Sequence, residues 1–132
     1  MLEIANLTKH KIDKNLLKNA AANALAILGT RGLENISLVL VGETKIKALN
    51  WKYLKRNRVT DVLSFEDLNE IFICVPEAAR QSKLLKTSLN SELTRLLAHG
   101  IVHLKGYEHE RSKSAELKMR EIENKILKRI KI

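Results

Sequence analysis

The sequence predicts an α+β fold, in which a small mixed sheet of about four strands is packed with helices and the C-terminal third is helical. Short apolar, β-branched runs of strand length occur in the first and middle parts of the chain, and beyond Pro76 the apolar residues recur with a helical period. Strands followed by a helical region are typical of α+β folds. Because 132 residues can bury one sizeable core, we expect a single domain over residues 1–132.

The individual elements follow from local signals. Asp13 can cap a first helix, Thr44 can open a short second one, and Pro76 fits the first turn of a third that reaches about residue 86. Gly106 ends a fourth, leucine-rich helix and precedes a last one. The predicted strands are residues 2–7, 36–41, 62–65 and 71–75, and the predicted helices are 16–28, a short one from 44, 76–86, one from about 89, and one ending near 130.

Three of the four histidines lie within eleven residues, in the segment HGIVHLKGYEH. His99 and His103 stand at positions i and i+4 of the leucine-rich helix, so both rings project from one side of it. Gly106 can turn the chain back so that His109 adds a third imidazole. Three nitrogen ligands with an open fourth position are characteristic of catalytic zinc, and the spacing therefore predicts one Zn²⁺ per chain. His10, between two lysines, is expected at the surface.

Several residues near the histidines bear on the chemistry of such a metal. Zinc peptidases with a similar histidine spacing carry a glutamate next to the first histidine, and here that residue is Gly100, which argues against peptidase activity. Glu108 and Glu110 could act on a metal-bound water, orient a histidine, or be simple surface charges. Thr60 and Ser64 could donate hydrogen bonds near the cleft, or be only a turn cap and a strand residue.

The net charge of +9 favours a polyanionic partner. A segment without acidic residues, from Lys45 to Arg58, is the best candidate for a phosphate-binding surface, whereas the second basic set, near the C-terminus, is diluted by glutamates and resembles a solvated helix face. The aromatics Trp51 and Tyr53 could stack on unpaired bases, although we expect at least one of them in the core. The predicted RNA-binding residues are Lys52, Lys55, Arg56 and Arg58.

Cys74 is the only cysteine, so the chain has no internal disulfide, and its apolar neighbours predict a small buried side chain rather than a nucleophile. No apolar run has the length of a membrane span, and the N-terminus does not have the pattern of a secretory signal. We therefore expect a cytoplasmic protein without a membrane partner.

Two sequence blocks resemble the YbeY family of bacterial metal-dependent rRNA maturation factors and endoribonucleases. One is HGIVHLKGYEH at residues 99–109, and the other is LNWKYLKRNRVTDVLSF at residues 49–65. The segment EIFICVPEAARQ, together with Glu92, Met119 and Glu121, extends the resemblance over most of the chain. It implies a metallopeptidase-like (zincin-like) fold and zinc on His99, His103 and His109. It further implies action on single-stranded ribosomal RNA in small-subunit 3′-end maturation and ribosome quality control, with the ribosome as partner.

Three departures from the family pattern are informative. Leu54 stands where the family has an arginine thought to serve the active-site cleft, and Lys55 or Arg56 could supply a similar charge. Val59 replaces a proline, and Glu108 replaces an aspartate. The catalytic candidates beyond the metal site are therefore Glu108 and Arg56. Two other functions stay open: a zinc hydrolase of another substrate, and a non-catalytic ribosome-assembly factor with a structural metal.

Overall fold

The computed structural model of the chain describes residues 1–106 and 112–130. Helices and strands alternate in its first half, and three consecutive helices follow the last strand. The elements are β1 (Leu2–Asn6), α1 (Lys14–Leu28), β2 (Ile36–Val41), α2 (Glu43–Leu54), β3 (Val62–Phe65), β4 (Glu70–Cys74), α3 (Val75–Leu84), α4 (Leu89–Leu104) and α5 (Lys113–Ile130), with a 3₁₀ turn (Glu66–Leu68) between β3 and β4.

The four strands form one mixed sheet in the order β1-β2-β4-β3. β1, β2 and β4 are parallel, and β3 runs antiparallel to β4 at the edge of the sheet. Parallel neighbours require a crossover, which α1 provides between β1 and β2. The tight 3₁₀ turn suffices for the antiparallel pair. The predicted α+β fold with a small mixed sheet is confirmed.

Side-chain caps begin helices α1 and α4, of which the Asp13 cap of α1 was predicted. The Asp13 side chain accepts a hydrogen bond from Leu16 N at 3.0 Å, and Ser88 Oγ accepts one from Ser91 N at 3.0 Å at the start of α4. The prediction that Thr44 opens α2 is wrong. The helix begins at Glu43. Since β2 ends at Val41, only the extended Gly42 separates the strand from the helix.

The main core lies between the sheet and α4, which also packs against α1, α3 and α5. The leucine-rich face of α4 is buried as the periodicity predicts, with Leu93, Leu97 and Ile101 fully enclosed. A smaller cluster beneath α2 contains Cys74. Burial raises the pKa of the Cys74 thiol, which agrees with the predicted structural role for this residue.

Helix α5 lies at the periphery of the fold. Ile126 is buried against the core, and the basic residues of this helix are exposed or half-exposed, as expected for a solvated face. In the two described ranges, every helix is too short or too polar to cross a membrane.

Candidate metal centre and cleft

His99 and His103 lie one turn apart on α4, with ring centroids 4.2 Å from each other. Both rings line a cavity of about 210 Å³, which we call the histidine cleft. Its other lining residues come from α2, β3 and the segment that joins them. They are Asn50, Leu54, Arg56, Arg58, Thr60 and Val62–Phe65.

A carboxylate of α5 contacts the first histidine. Oε1 of Glu123 lies against Nδ1 of His99, and both side chains are partly buried. A carboxylate only accepts hydrogen bonds, so Nδ1 is the donor in this contact, and in the neutral imidazole the lone pair is then on Nε2. No local sequence pattern predicts Glu123 at this position, since 24 residues separate it from His99.

The predicted third ligand, His109, lies outside the described residues, as do Glu108 and Glu110. Within residues 1–106 and 112–130, no cluster holds three or more potential metal ligands. The cleft therefore contains two of the three predicted imidazoles, and the complete ligand set stays a prediction.

Gly100 faces the sheet rather than the cleft. A Cβ at this position would lie 3.0 Å from Ile71 Cγ2 and 3.2 Å from Ser64 Oγ, which is closer than side chains normally approach. The hydroxyl of Ser64 donates to the Gly100 carbonyl oxygen at 3.4 Å. The position that carries a glutamate in zinc peptidases is thus filled by the close contact between α4 and the sheet, so the geometry, like the sequence, argues against a peptidase.

The four predicted RNA-binding residues divide into two groups. Arg56 and Arg58 line the histidine cleft next to Leu54. The ammonium groups of Lys52 and Lys55 instead lie over aromatic rings, 5.3 Å from the Tyr53 centroid and 5.6 Å from the Trp51 centroid. All four basic side chains are exposed.

Both of these aromatics are exposed, Trp51 by 54% and Tyr53 by 50%. The expectation that at least one lies in the core is wrong. Only Ile46 and Asn50 of α2 are buried, because this helix covers just the small cluster beneath it. Tyr53 packs against Phe65, at 4.9 Å between ring centroids, and half of its surface stays exposed.

Asn50 joins α2 to the segment that carries the arginines. Its buried Nδ2 donates to the Arg58 carbonyl oxygen at 3.0 Å, and its main-chain carbonyl oxygen accepts from Arg56 N at 3.3 Å. Lys55 between them adopts a left-handed conformation with φ of 59°, which turns the chain out of the helix. Asn50 is a polar residue at an apolar position of the helix, and this pattern is the sequence signal that could have indicated its structural role.

Glu92 and Arg95 form an ion pair on α4, N-terminal to the histidines. Arg95 donates from Nε to Glu92 Oε1 at 2.9 Å and from Nη2 to Oε2 at 2.6 Å, and these bonds raise the pKa of Arg95. Glu92 is buried, although it is a charged residue. The two hydrogen bonds pair this buried carboxylate with a guanidinium and give each of its oxygens a donor.

The fold and the cleft thus define a small α+β protein in which a buried helix presents paired histidines opposite a basic segment. A family profile described as Endoribonuclease YbeY matches residues 3–131. A protein of Aquifex aeolicus named endoribonuclease YbeY is 37% identical, over 96% of this chain and 90% of its own length. One from Thermodesulfovibrio yellowstonii is 41% identical, over 90% of this chain and 77% of its own length.

The solution structure of a Thermotoga maritima protein superposes with a TM-score of 0.69 at 28% identity, covering 98% of this chain and 89% of that one. The chain belongs to the YbeY endoribonuclease family. Membership confirms the resemblance drawn from the two sequence blocks and supports an endoribonuclease role.

Proposed function

We propose that this chain is a metal-dependent endoribonuclease that cleaves single-stranded ribosomal RNA in the cytoplasm, in small-subunit 3′-end maturation and ribosome quality control. The observation that carries the proposal is the pair of imidazoles, His99 and His103, in a cleft whose opposite side holds two arginines. Family membership supports the ribonuclease activity.

The residues fit a zinc ion. Two imidazoles line the same cleft, and the Glu123 contact leaves Nε2 of His99 with its lone pair. Imidazole nitrogen is a preferred zinc donor, and His109 would complete the set. When bound, zinc would act as a Lewis acid toward the phosphodiester and lower the pKa of a water molecule.

The arginines give the cleft its preference for a phosphate backbone. The guanidinium groups of Arg56 and Arg58 can bind phosphate oxygens through two N–H groups each. Arg56 is the better substitute for the arginine that Leu54 replaces, because it lines the cleft beside Leu54 while the Lys55 ammonium lies over Trp51. Its role is to hold the phosphate near the histidines.

The exposed face of α2 extends this surface beyond the cleft. Lys52 and Lys55 can bind flanking phosphates. When their ammonium groups move from the rings of Tyr53 and Trp51 to phosphate oxygens, these half-exposed aromatics can stack on unpaired bases. Stacking requires bases that are free of a duplex, which accounts for a single-stranded substrate. The Thr60 hydroxyl lines the cleft as a further donor, and Glu108 stays a candidate proton acceptor.

The test measures metal content and cleavage of ribosomal RNA together. The variants are His99→Ala, His103→Ala and His109→Ala, with His10→Ala as a matched control because His10 is an exposed histidine of the N-terminal region. We expect one zinc per chain and cleavage in the wild type and the control, and loss of both in the other three.

Other outcomes separate the alternatives. Zinc bound without histidine-dependent cleavage would favour the ribosome-assembly factor with a structural metal. Cleavage that persists after the metal is lost would contradict the proposed metal dependence. Hydrolysis of amides or small esters, with RNA left intact, would favour the zinc hydrolase of another substrate.

A further inference from the structure

The contact between His99 and Glu123 joins the site-bearing helix to the peripheral one. His99 lies in the third turn of α4, and Glu123 lies in the middle of α5. The atoms in contact are Nδ1 of the imidazole and Oε1 of the carboxylate. Both side chains are partly shielded from water, which strengthens the hydrogen bond relative to an exposed one.

The chemistry of the pair restricts the imidazole to one tautomer. A neutral imidazole carries a single N–H, and a carboxylate can only accept it. In water a free histidine side chain prefers the proton on Nε2, so the carboxylate must reverse the preference to place it on Nδ1. Nε2 then keeps the lone pair that can bind a metal ion.

We propose that Glu123 is a positioning residue, which selects the tautomer and ring orientation of His99 before any metal binds. The proposal rests on the metal site of the proposed function. It adds a residue from outside both family-like sequence blocks, on an element that contributes no lining residue to the described cleft. Carboxylates that hold a ligating histidine in this way raise its basicity and restrict its rotation.

The neighbouring charges leave Glu123 available for this role. Arg95 lies one turn before His99 and is the only arginine or lysine of α4, and it attracts Glu92, Asp61 and Glu123. Its guanidinium is already bonded to Glu92 through Nε and Nη2. Glu92 therefore neutralises the arginine, and the carboxylate of Glu123 is directed to the imidazole.

Glu123 is not itself suited to be a metal ligand through this contact. The two nitrogens of an imidazole point in nearly opposite directions. A carboxylate bonded to Nδ1 therefore does not reach an ion held by Nε2 of the same ring. Its effect on metal binding passes through His99.

The experiment compares wild type, Glu123→Gln and Glu121→Gln. Glu121 is an exposed carboxylate of the same helix, so its variant matches the loss of charge without touching His99. A glutamine at position 123 can either donate to or accept from Nδ1, so it no longer selects a tautomer. The tautomer of His99 is measured in the metal-free protein by long-range ¹⁵N–¹H NMR at about pH 8, above the ordinary pKa of histidine. His99→Ala assigns the signal.

We expect Nδ1–H for His99 in the wild type and in Glu121→Gln, and a shift toward Nε2–H in Glu123→Gln. Zinc affinity, measured by competition with a chelator, should fall roughly 10- to 100-fold in Glu123→Gln and stay unchanged in Glu121→Gln. Thermal melting of the three metal-free proteins controls for a general loss of structure.

The two levels of the proposal fail in different ways. A proton on Nε2 of His99 in the metal-free wild type would overturn the role of Glu123, and this result needs no variant to fold. Unchanged zinc affinity in Glu123→Gln would overturn it as well, while zinc loss in His99→Ala would leave the metal site standing. A wild type with Nδ1–H that binds no zinc would overturn the metal site and, with it, the positioning role.

Discussion

The two sides of the histidine cleft are built differently. The α4 side is part of the core. Leu97, two residues before His99, has no exposed surface, and Glu123 of α5 contacts the His99 ring. The opposite side is a surface segment, where Leu54 is 47% exposed and the Asn50 side chain supplies a hydrogen bond across the turn.

This difference corresponds to the precision that each side would need in the proposed function. Metal ligands must be held within fractions of an ångström, which a helix packed on several sides can provide. Attraction between arginines and phosphates acts over longer distances and tolerates movement. We therefore expect substitutions on the α4 side to change stability and site geometry, and those on the α2–β3 side to change mainly RNA binding.

The largest expected effect comes from the same substitution made on each side. Leu97→Ala leaves a cavity in the core and should lower the free energy of unfolding by about 2–5 kcal/mol. Leu54→Ala should change it by no more than about 0.5 kcal/mol, as surface substitutions usually do. Urea denaturation measures both, and similar losses in the two variants would break the comparison.

Asn50→Ala should have the next largest effect. It removes a buried hydrogen bond and leaves the Arg58 carbonyl oxygen without that donor, which costs about 1–3 kcal/mol. Hydrogen exchange should become faster in residues 56–60 and stay unchanged in α4. Asn57→Ala, an exposed asparagine of the same segment, is the control. Faster exchange throughout α4 would show that the two sides are not independent.

Gly100→Ala tests how tightly α4 is fixed. Helix propensity alone favours alanine by about 1 kcal/mol. The added Cβ would press on the fully buried Ile71, and overpacking costs about 1–3 kcal/mol. We expect a net loss of about 1 kcal/mol in the free energy of unfolding. A more stable variant would mean that Ile71 moves to accommodate the added methyl group and that α4 is less tightly fixed against the sheet.

The smallest effect on the fold is expected from Arg56→Ala and Arg58→Ala. Both side chains are exposed, so stability should change by less than about 0.5 kcal/mol. If each binds one phosphate, the slope of log affinity for single-stranded RNA against log salt should decrease by about 0.7 per variant. Lys83→Ala, an exposed cation on α3, should leave the slope unchanged. An equal decrease in all three would remove any special role of the cleft arginines.

Most of the fold could be predicted from local patterns, because periodicity, caps and turns act over a few residues. The bounds of β2, the buried face of α4 and the Asp13 cap all follow from neighbours in sequence. Contacts between distant elements carry no such signal. Glu123 meets His99 only because α5 packs on α4, and the exposure of Trp51 depends on how little of the core α2 covers.

The candidate site divides in the same way. The i, i+4 spacing predicted that His99 and His103 share one side of a helix, since that is a property of the helix itself. The separation of Arg56 and Arg58 from Lys52 and Lys55 depends on the left-handed turn at Lys55, which composition does not reveal. Burial of Glu92 depends on how α4 packs in the core, which the sequence does not show.

Trp51 is the only tryptophan of the chain, and it lies on the exposed face of α2. Its fluorescence therefore comes from one known position on the basic side of the cleft. Because the indole is already half in water, its emission should change little when the protein unfolds, whereas a base stacked on it should quench it directly. The chain thus carries an intrinsic fluorescent probe for bound nucleic acid. The probe requires no label, and its signal should respond little to unfolding.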